Sequence, residues 1–321
     1  MTYSNDGGAT GLSPGVLPST CCDPASDWSS DGTVAYTASL GGSGSFRNVV
    51  FRSTNFGQTW GPAVQVSTGG SDKEYIHVDK SPSSPYLDYV YTTWHQGNTM
   101  FFARSTDRAV TFQTPISFPS AARGIGSDIT TDAQGRIYYA WPSTSNHPTS
   151  AIWVVTSSDG GATFSTPVQA YDLRGEFDFA IPSMESRRAF IYVSADTDQS
   201  GGPNDGRVYL AFTDEAPNSP GNGNGSAAKS HGWGQGIYSD DQGATWRGDY
   251  KLADHSCECC RIALALDAKG RVAAMWRHVF PLNERDHAFA VLQPEGKNVV
   301  VERATTDRWR IDACPHHGPS L

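Results

Sequence analysis

Long apolar runs, a basic stripe and abundant charge are all missing from this chain. No hydrophobic stretch approaches the ~20 residues that a membrane-spanning helix requires. Charged residues make up only 18 % of the 321 positions and sum to a net charge of −9, so no broad cationic surface is available to grip a phosphate backbone and nucleic acid is not an expected partner. The opening Met1-Thr2-Tyr3-Ser4-Asn5 lacks the charged and apolar regions of a secretory leader. Cysteine is scarce at six residues, which makes its placement informative. Few lysines, glycine-rich loops and an even cysteine count suit an oxidising compartment, periplasmic or extracellular.

What is plentiful is punctuation and aromatic bulk: 33 Gly, 19 Pro, 9 Trp and 13 Tyr. That is the composition of many short strands joined by tight turns, an all-β chain. Its length would fit about two average domains, yet β-rich folds reach this size as one unit, and a single domain over 1–321 is expected.

A repeat organises the chain. Ser157-x-Asp159-x-Gly161-x-Thr163-Phe164 and Ser239-x-Asp241-x-Gly243-x-Thr245-Trp246 share one template. Weaker copies are Ser53-x-Asn55-x-Gly57-x-Thr59-Trp60, Ser105-x-Asp107-x-Ala109-x-Thr111-Phe112 and Ser4-x-Asp6-x-Gly8-x-Thr10. The threonines at 10, 59, 111, 163 and 245 are spaced 49, 52, 52 and 82 apart, a range that signifies stacked supersecondary units. The template itself is turn chemistry: a carboxylate to accept backbone N–H groups, a glycine for a positive φ, and an aromatic to pack between layers. A second element, exemplified by Gly135-Arg136-Ile137-Tyr138-Tyr139 and Gly206-Arg207-Val208-Tyr209-Leu210, precedes the copies at Ser53, Ser105, Ser157 and Ser239 and recurs at Gly270-Arg271-Val272-Ala273-Ala274. Together they predict five four-stranded meanders over roughly 20–67, 73–118, 126–170, 176–252 and 255–303.

The turn is similar to the Asp-box, or BNR repeat, of sialidase-like β-propellers. The blade-5 segment, His255-Ser256-Cys257-Glu258-Cys259-Cys260-Arg261 with Trp276-Arg277-His278 and Asn283-Glu284-Arg285-Asp286, and the terminal Cys314-Pro315-His316-His317, resemble a bacterial Cys-rich branch of these proteins. The resemblance implies an all-β, six-bladed sialidase-like propeller with one incomplete or terminus-shared blade. Its sixth blade would combine Cys314–Leu321 with strands from residues 1–18; a second strand for it is missing, so a truncated chain, an irregular closure and a five-bladed ring stand as alternatives. It also implies a ligand site at the channel mouth, on the face opposite the Asp-box turns.

Several unusual residues would reach that face. Cys21, Cys22, Cys257, Cys259, Cys260 and Cys314, flanked by His255, His316 and His317, would converge if the ring closes between its termini. Three readings of this set stand side by side: disulfides that lock the ring, a soft metal site for Cu or Zn, and a reactive thiol beside Arg261. Within the disulfide reading, pairing between blades is easier than bridging the adjacent Cys21-Cys22 or Cys259-Cys260.

Sialidase resemblance further implies exo-glycoside hydrolysis, with arginines clamping a substrate carboxylate in bidentate fashion. Arg261, Arg277 and Arg285 are the candidates, with Trp141 and Trp233 to stack on sugar faces. Asp23, Asp178, Glu258 and Asp286 are the candidate catalytic carboxylates, and Glu74 is acidic on the same face. Each of these acids also reads as a loop-fixing or arginine-pairing carboxylate. An Arg-Ile-Pro element is absent, the nearest text being Phe179-Ala180-Ile181-Pro182. The expected function is therefore binding, with or without hydrolysis, of an acidic or polyhydroxylated glycan or small-molecule ligand. The alternative is a metal- or thiol-carrying binding protein without glycosidase chemistry.

Overall fold

The computed structural model describes residues 3–4, 6, 10–11, 17–42, 45–119, 122–144, 150–175, 177–179, 189–215, 232–253, 261–293 and 299–310. These form five four-stranded antiparallel meanders and one small hairpin. The first sheet holds β1 (Thr20–Trp28), β2 (Ala35–Gly41), β3 (Arg47–Ser53) and β4 (Val64–Gln65), and the second holds β5 (Ser71–Val78), β6 (Val90–Gln96), β7 (Thr99–Ser105) and β8 (Ile116–Ser117). The third comprises β9 (Asp128–Thr131), β10 (Ile137–Pro142), β11 (Ala151–Ser157) and β12 (Val168–Asp172). A hairpin of β13 (Asp178–Phe179) and β14 (Ala189–Phe190) follows. The fourth sheet holds β15 (Val193–Thr197), β16 (Val208–Glu215), β17 (Gly232–Ser239) and β18 (Arg247–Ala253). The fifth holds β19 (Ala263–Leu266), β20 (Val272–Phe280), β21 (Glu284–Val291) and β22 (Glu302–Arg303).

These are the expected meanders, but among the described residues the blades number five and not six. The described residues before β1 form no strand, and the expected sixth-blade strand at Cys314–Leu321 lies outside the described residues.

The chain divides into two compact units, Met1–Ile137 with Ser157–Thr163, and Tyr138–Thr156 with Phe164–Leu321. In unit 1 the core includes Val34, Tyr36, Val50, Ile76, Val78 and Val90. In unit 2 it includes Tyr209, Leu252, Ile262, Val272, Trp276 and Leu292. The second strands β2, β10 and β16 are buried along their whole length, which is why they read as continuous apolar and aromatic runs rather than as an alternation.

The repeated turn behaves as its residues dictate. Asp159 Oδ1 accepts the Thr163 N–H at 2.9 Å, its Oδ2 accepts the Thr163 hydroxyl at 2.6 Å, and Ser157 Oγ accepts the Gly161 N–H at 2.9 Å. Asp241, Asp107 and, by its amide oxygen, Asn55 repeat the pattern on Thr245, Thr111 and Thr59. Even Asp6 does so with Thr10. Burial works against ionisation of Asp159, yet the donors from Thr163 and Ser157 hold it down at about 2. A second series of acid-centred turns joins the first and second strands. Asp132 and Asp267 each accept two backbone N–H groups, from Gln134 and Arg136 and from Lys269 and Arg271. The Asp that precedes the Gly-Arg element is thus as much a part of the repeat as the Gly-Arg pair.

Candidate functional site

In unit 1 the innermost strands of the first two sheets are broken at matching places. Across β1 and β2, Cys22 pairs with Leu40 and Ala25 with Ala38, so Asp23 and Pro24 stand opposite Ser39 alone. Across β5 and β6, Asp72 pairs with His95 and Tyr75 with Thr93, so Lys73 and Glu74 stand opposite Trp94 alone. Each interruption places a non-glycine residue at positive φ, 52° at Asp23 and 52° at Lys73. Such bulges re-aim side chains and are frequent beside functional sites. Here they bring Lys73 Nζ to 2.9 Å from Asp23 Oδ2.

The same bulge turns Glu74 inward. Its residue is 2 % exposed, and neither carboxyl oxygen has a hydrogen-bond partner among the described residues. Burial pushes this carboxyl up to about 8. Its own N–H pulls the other way without reaching hydrogen-bond geometry, the charges of Asp23 and Asp72 push further up, and the Lys73 ammonium pulls down. A buried carboxyl with no donor is protonated at neutral pH and is a ready proton source.

Opposite Asp72, His95 is fixed in one tautomer. Its Nδ1 lies 2.6 Å from the Gly97 carbonyl oxygen, which can only accept, so Nδ1 carries the hydrogen. The other nitrogen, Nε2, is buried without a hydrogen bond and sits 3.7 Å from Asp72 Oδ2. Desolvation lowers the affinity of this imidazole for a second proton, partly offset by its Gly97 contact and by Asp72. A protonated carboxyl, an unprotonated imidazole nitrogen, a lysine and two further carboxylates therefore gather on one rim of unit 1.

Unit 2 accounts for the arginine candidates differently. In the fifth sheet Arg277 pairs with His287 and Val279 with Arg285, so by strand alternation Arg277, Arg285 and His287 share one face and Asp286 the other. Arg277 is 8 % exposed, lies over the Trp309 ring at 5.2 Å, and has no hydrogen-bond partner for Nε among the described residues. Asp286 is committed elsewhere: its Oδ2 accepts from Arg303 Nη1 at 3.1 Å and its Oδ1 from the Arg308 N–H at 2.9 Å. Arg261 Nε donates to Ser194 Oγ and its Nη2 to the Val193 carbonyl, so this side chain reaches toward β15.

Other candidates fall in varied places. Trp141 is fully buried and packs on Tyr139 at 4.8 Å, so its ring faces are core surface and unavailable for stacking on a sugar. Trp233 stands opposite Asp214 in the β16–β17 ladder, and Asp178 opposite Phe190 in the small hairpin. Cys21 and Cys22 are joined to each other, where pairing between blades was the easier expectation; Cys21 falls in the first register shift of β1, and Cys22, paired with Leu40, stands between that shift and the next. His255, Cys257, Glu258, Cys259, Cys260, Cys314, His316 and His317 lie outside the described residues. Among the described residues no three His, Cys, Asp or Glu side chains group as a metal site, and no helix is long and apolar enough to cross a membrane.

Glu74 and His95 are the residues that sequence reasoning undervalued. Their signal was positional only, within the first strand of the second sheet and near the end of its partner.

No family model matches the chain, and no curated protein matches its sequence. Solved structures match by fold. A protein of unknown function from Dyadobacter fermentans is 14 % identical at TM-score 0.58, with 90 % of this chain and 84 % of that one covered. An ulvan lyase, a polysaccharide lyase, is 11 % identical at TM-score 0.56, with 91 % and 75 % covered. An intramolecular trans-sialidase from Ruminococcus gnavus, solved with oseltamivir carboxylate, is 9 % identical at TM-score 0.57, with 89 % and 85 % covered. At such identities the likeness is one of fold, and the chain is an all-β propeller.

Proposed function

We propose that the chain binds an acidic or polyhydroxylated glycan at the Glu74 rim of unit 1 and cleaves it by proton transfer from the Glu74 carboxyl. The observation that carries this reading is the pairing of burial with the absence of any donor to either Glu74 oxygen among the described residues. Proteins rarely leave such a group unsatisfied without a use for it. Glycosidic cleavage needs an acid that is still protonated at working pH to load the leaving oxygen, and a second carboxylate or base that is not. Glu74 supplies the first, and Asp72 beside the His95 lone pair supplies the second. Lys73 is placed to meet a substrate carboxylate or sulfate. Fold neighbours that act on sialic acids or on ulvan are compatible with an anionic sugar, and a periplasmic or extracellular location would suit such a substrate. In unit 2, Arg277 and Arg285 are proposed separately as anion contacts.

The test is turnover on a panel of fluorogenic sialosides and uronides together with acidic polysaccharides, read both as hydrolysis and as formation of unsaturated ends. Wild-type turnover that falls ~10²–10⁴-fold in Glu74→Gln, the range typical of a lost general acid, with KM little changed, would support the reading. A protein inert across the panel, or a Glu74→Gln variant as active as wild type, would remove it.

A further inference from the structure

The adjacent cysteines sit next to the rim yet take no part in the proton transfer described above. Cys21 and Cys22 are both exposed and are linked to each other, and the next residue along the chain is Asp23, whose carboxylate holds Lys73 Nζ. The backbone here has little else to fix it. Thr20 pairs with Gly41 and Ala25 with Ala38, while between them only Cys22 keeps a ladder partner, Leu40, with a register shift on either side. The Ser39 hydroxyl adds one donor to the Cys22 carbonyl at 2.9 Å. A bond between neighbouring side chains closes a small ring through the Cys21–Cys22 peptide, immediately before the Asp23 bulge.

We infer that Cys21–Cys22 is a thiol–disulfide exchange site, open to a dithiol from solvent, whose oxidised form holds Asp23 against Lys73 and whose reduced form releases it. In the exchange one thiolate of the dithiol attacks a ring sulfur, the Cys21–Cys22 bond breaks, and a mixed disulfide forms. The second thiolate of the reductant then displaces the protein sulfur. Two electrons and two protons pass to the protein, leaving two cysteine thiols, and the dithiol leaves as its own disulfide. Opening the ring frees the peptide between two register shifts, so the Asp23 carboxylate is no longer constrained to its contact with Lys73. This inference concerns the ion pair and stands whether or not the glycan reading of Glu74 holds.

The experiment combines peptide mapping with the chemical reactivity of Lys73 in the intact chain. Aerobically purified protein, digested without reductant, is expected to yield Cys21 and Cys22 linked within one peptide. Brief dithiothreitol treatment should convert both to alkylatable thiols and raise the acylation rate of Lys73 several-fold. A Cys21→Ser/Cys22→Ser double variant should start at the higher Lys73 rate and ignore dithiothreitol, which separates this pair from the other four cysteines. Should that variant fail to fold, Asp23→Asn with its disulfide intact supplies the same rise without touching sulfur. Any one of four outcomes would overturn the inference: either cysteine cross-linked elsewhere, both found free before reduction, Lys73 labelling unmoved by reduction of the wild-type pair, or a double variant that still responds to dithiothreitol.

Discussion

Two carboxylates, one in each unit, are equally hidden and have opposite surroundings. Glu74 is 2 % exposed and Asp214 is 0 % exposed. Asp214 accepts backbone N–H groups from Arg174, Gly175 and Glu215, at 3.1 Å, 3.1 Å and 2.8 Å, and its Oδ2 lies 3.4 Å from Arg174 Nη1. Burial still pushes it up, to about 6, because those donors offset only part of the desolvation. Glu74 has no such donors among the described residues and is pushed to about 8. Burial alone therefore does not mark a functional acid. The donor set separates the two: Asp214 ties three backbone groups together, whereas Glu74 has no such set among the described residues.

The largest effect that would sharpen this contrast is catalytic. Glu74→Gln should cost ~10²–10⁴-fold in kcat, while Asp214→Asn should leave turnover of the folded fraction within a few-fold. If Asp214→Asn were the more damaging to kcat, the assignment of roles would be reversed.

Next comes the pH dependence of stability, where the sign follows from the proton count. Glu74 has a folded value near 8 against an ordinary 4.5. Below the ordinary value both states are protonated and the group has no effect. Between the two values the folded chain holds a proton that the unfolded chain has released, so stability falls as pH rises, and it levels off above the folded value. The loss is on the order of 5 kcal/mol at about 1.4 kcal/mol per pH unit. Asp214 acts in the same direction over a lower window, from 3.8 to about 6. Denaturant unfolding followed across this range should show Glu74→Gln abolishing the upper part of the decline and making the protein more stable than wild type at alkaline pH. An unchanged slope would show that Glu74 is solvated.

How much of this was legible in the residues follows from what each feature depends on. The turns around Asp159 and Asp241 could be read letter by letter, because each letter has a job in the turn: the hydroxyl, the carboxylate and the glycine act within a few residues of one another. Blade spans followed from the spacing of those turns. The Glu74 rim was not legible in that way. Its position depends on bulges at Asp23 and Lys73, and positive φ at an ordinary aspartate or lysine leaves no mark in composition or period. Trp141 misled for a related reason, since being at the end of a strand does not reveal whether a ring points into the core. Asp286 was readable as either acid or ion-pair partner, and the arginine that decides it, Arg303, is supplied by a different strand.

Stability separates the two acids again when their side chains are cut back. Asp214→Ala would strand three backbone N–H groups in the interior and leave Arg174 without its partner, so a loss of about 3 kcal/mol is expected by chemical unfolding at neutral pH. The same truncation at Glu74 removes no hydrogen bond, leaving only the loss of packed methylenes, partly offset by relief of the buried carboxyl. A Glu74→Ala loss equal to that of Asp214→Ala would mean that Glu74 has donors after all.

The smallest effect tests the charges around the rim. Lys73 and Asp23 have side chains 30 % and 35 % exposed, so their ion pair should contribute no more than about 1 kcal/mol to stability, and either truncation alone should hardly move the unfolding midpoint. Their influence on Glu74 is separable by sign. The Lys73 ammonium favours the ionised carboxylate and Asp23 disfavours it, so Lys73→Met should move the alkaline limb of the activity profile to higher pH and Asp23→Asn to lower pH. Opposite shifts at nearly constant stability are the signature of two charges acting through space on one buried proton. Parallel shifts, or none, would mean that the Glu74 carboxyl is insulated from the bulges that place it.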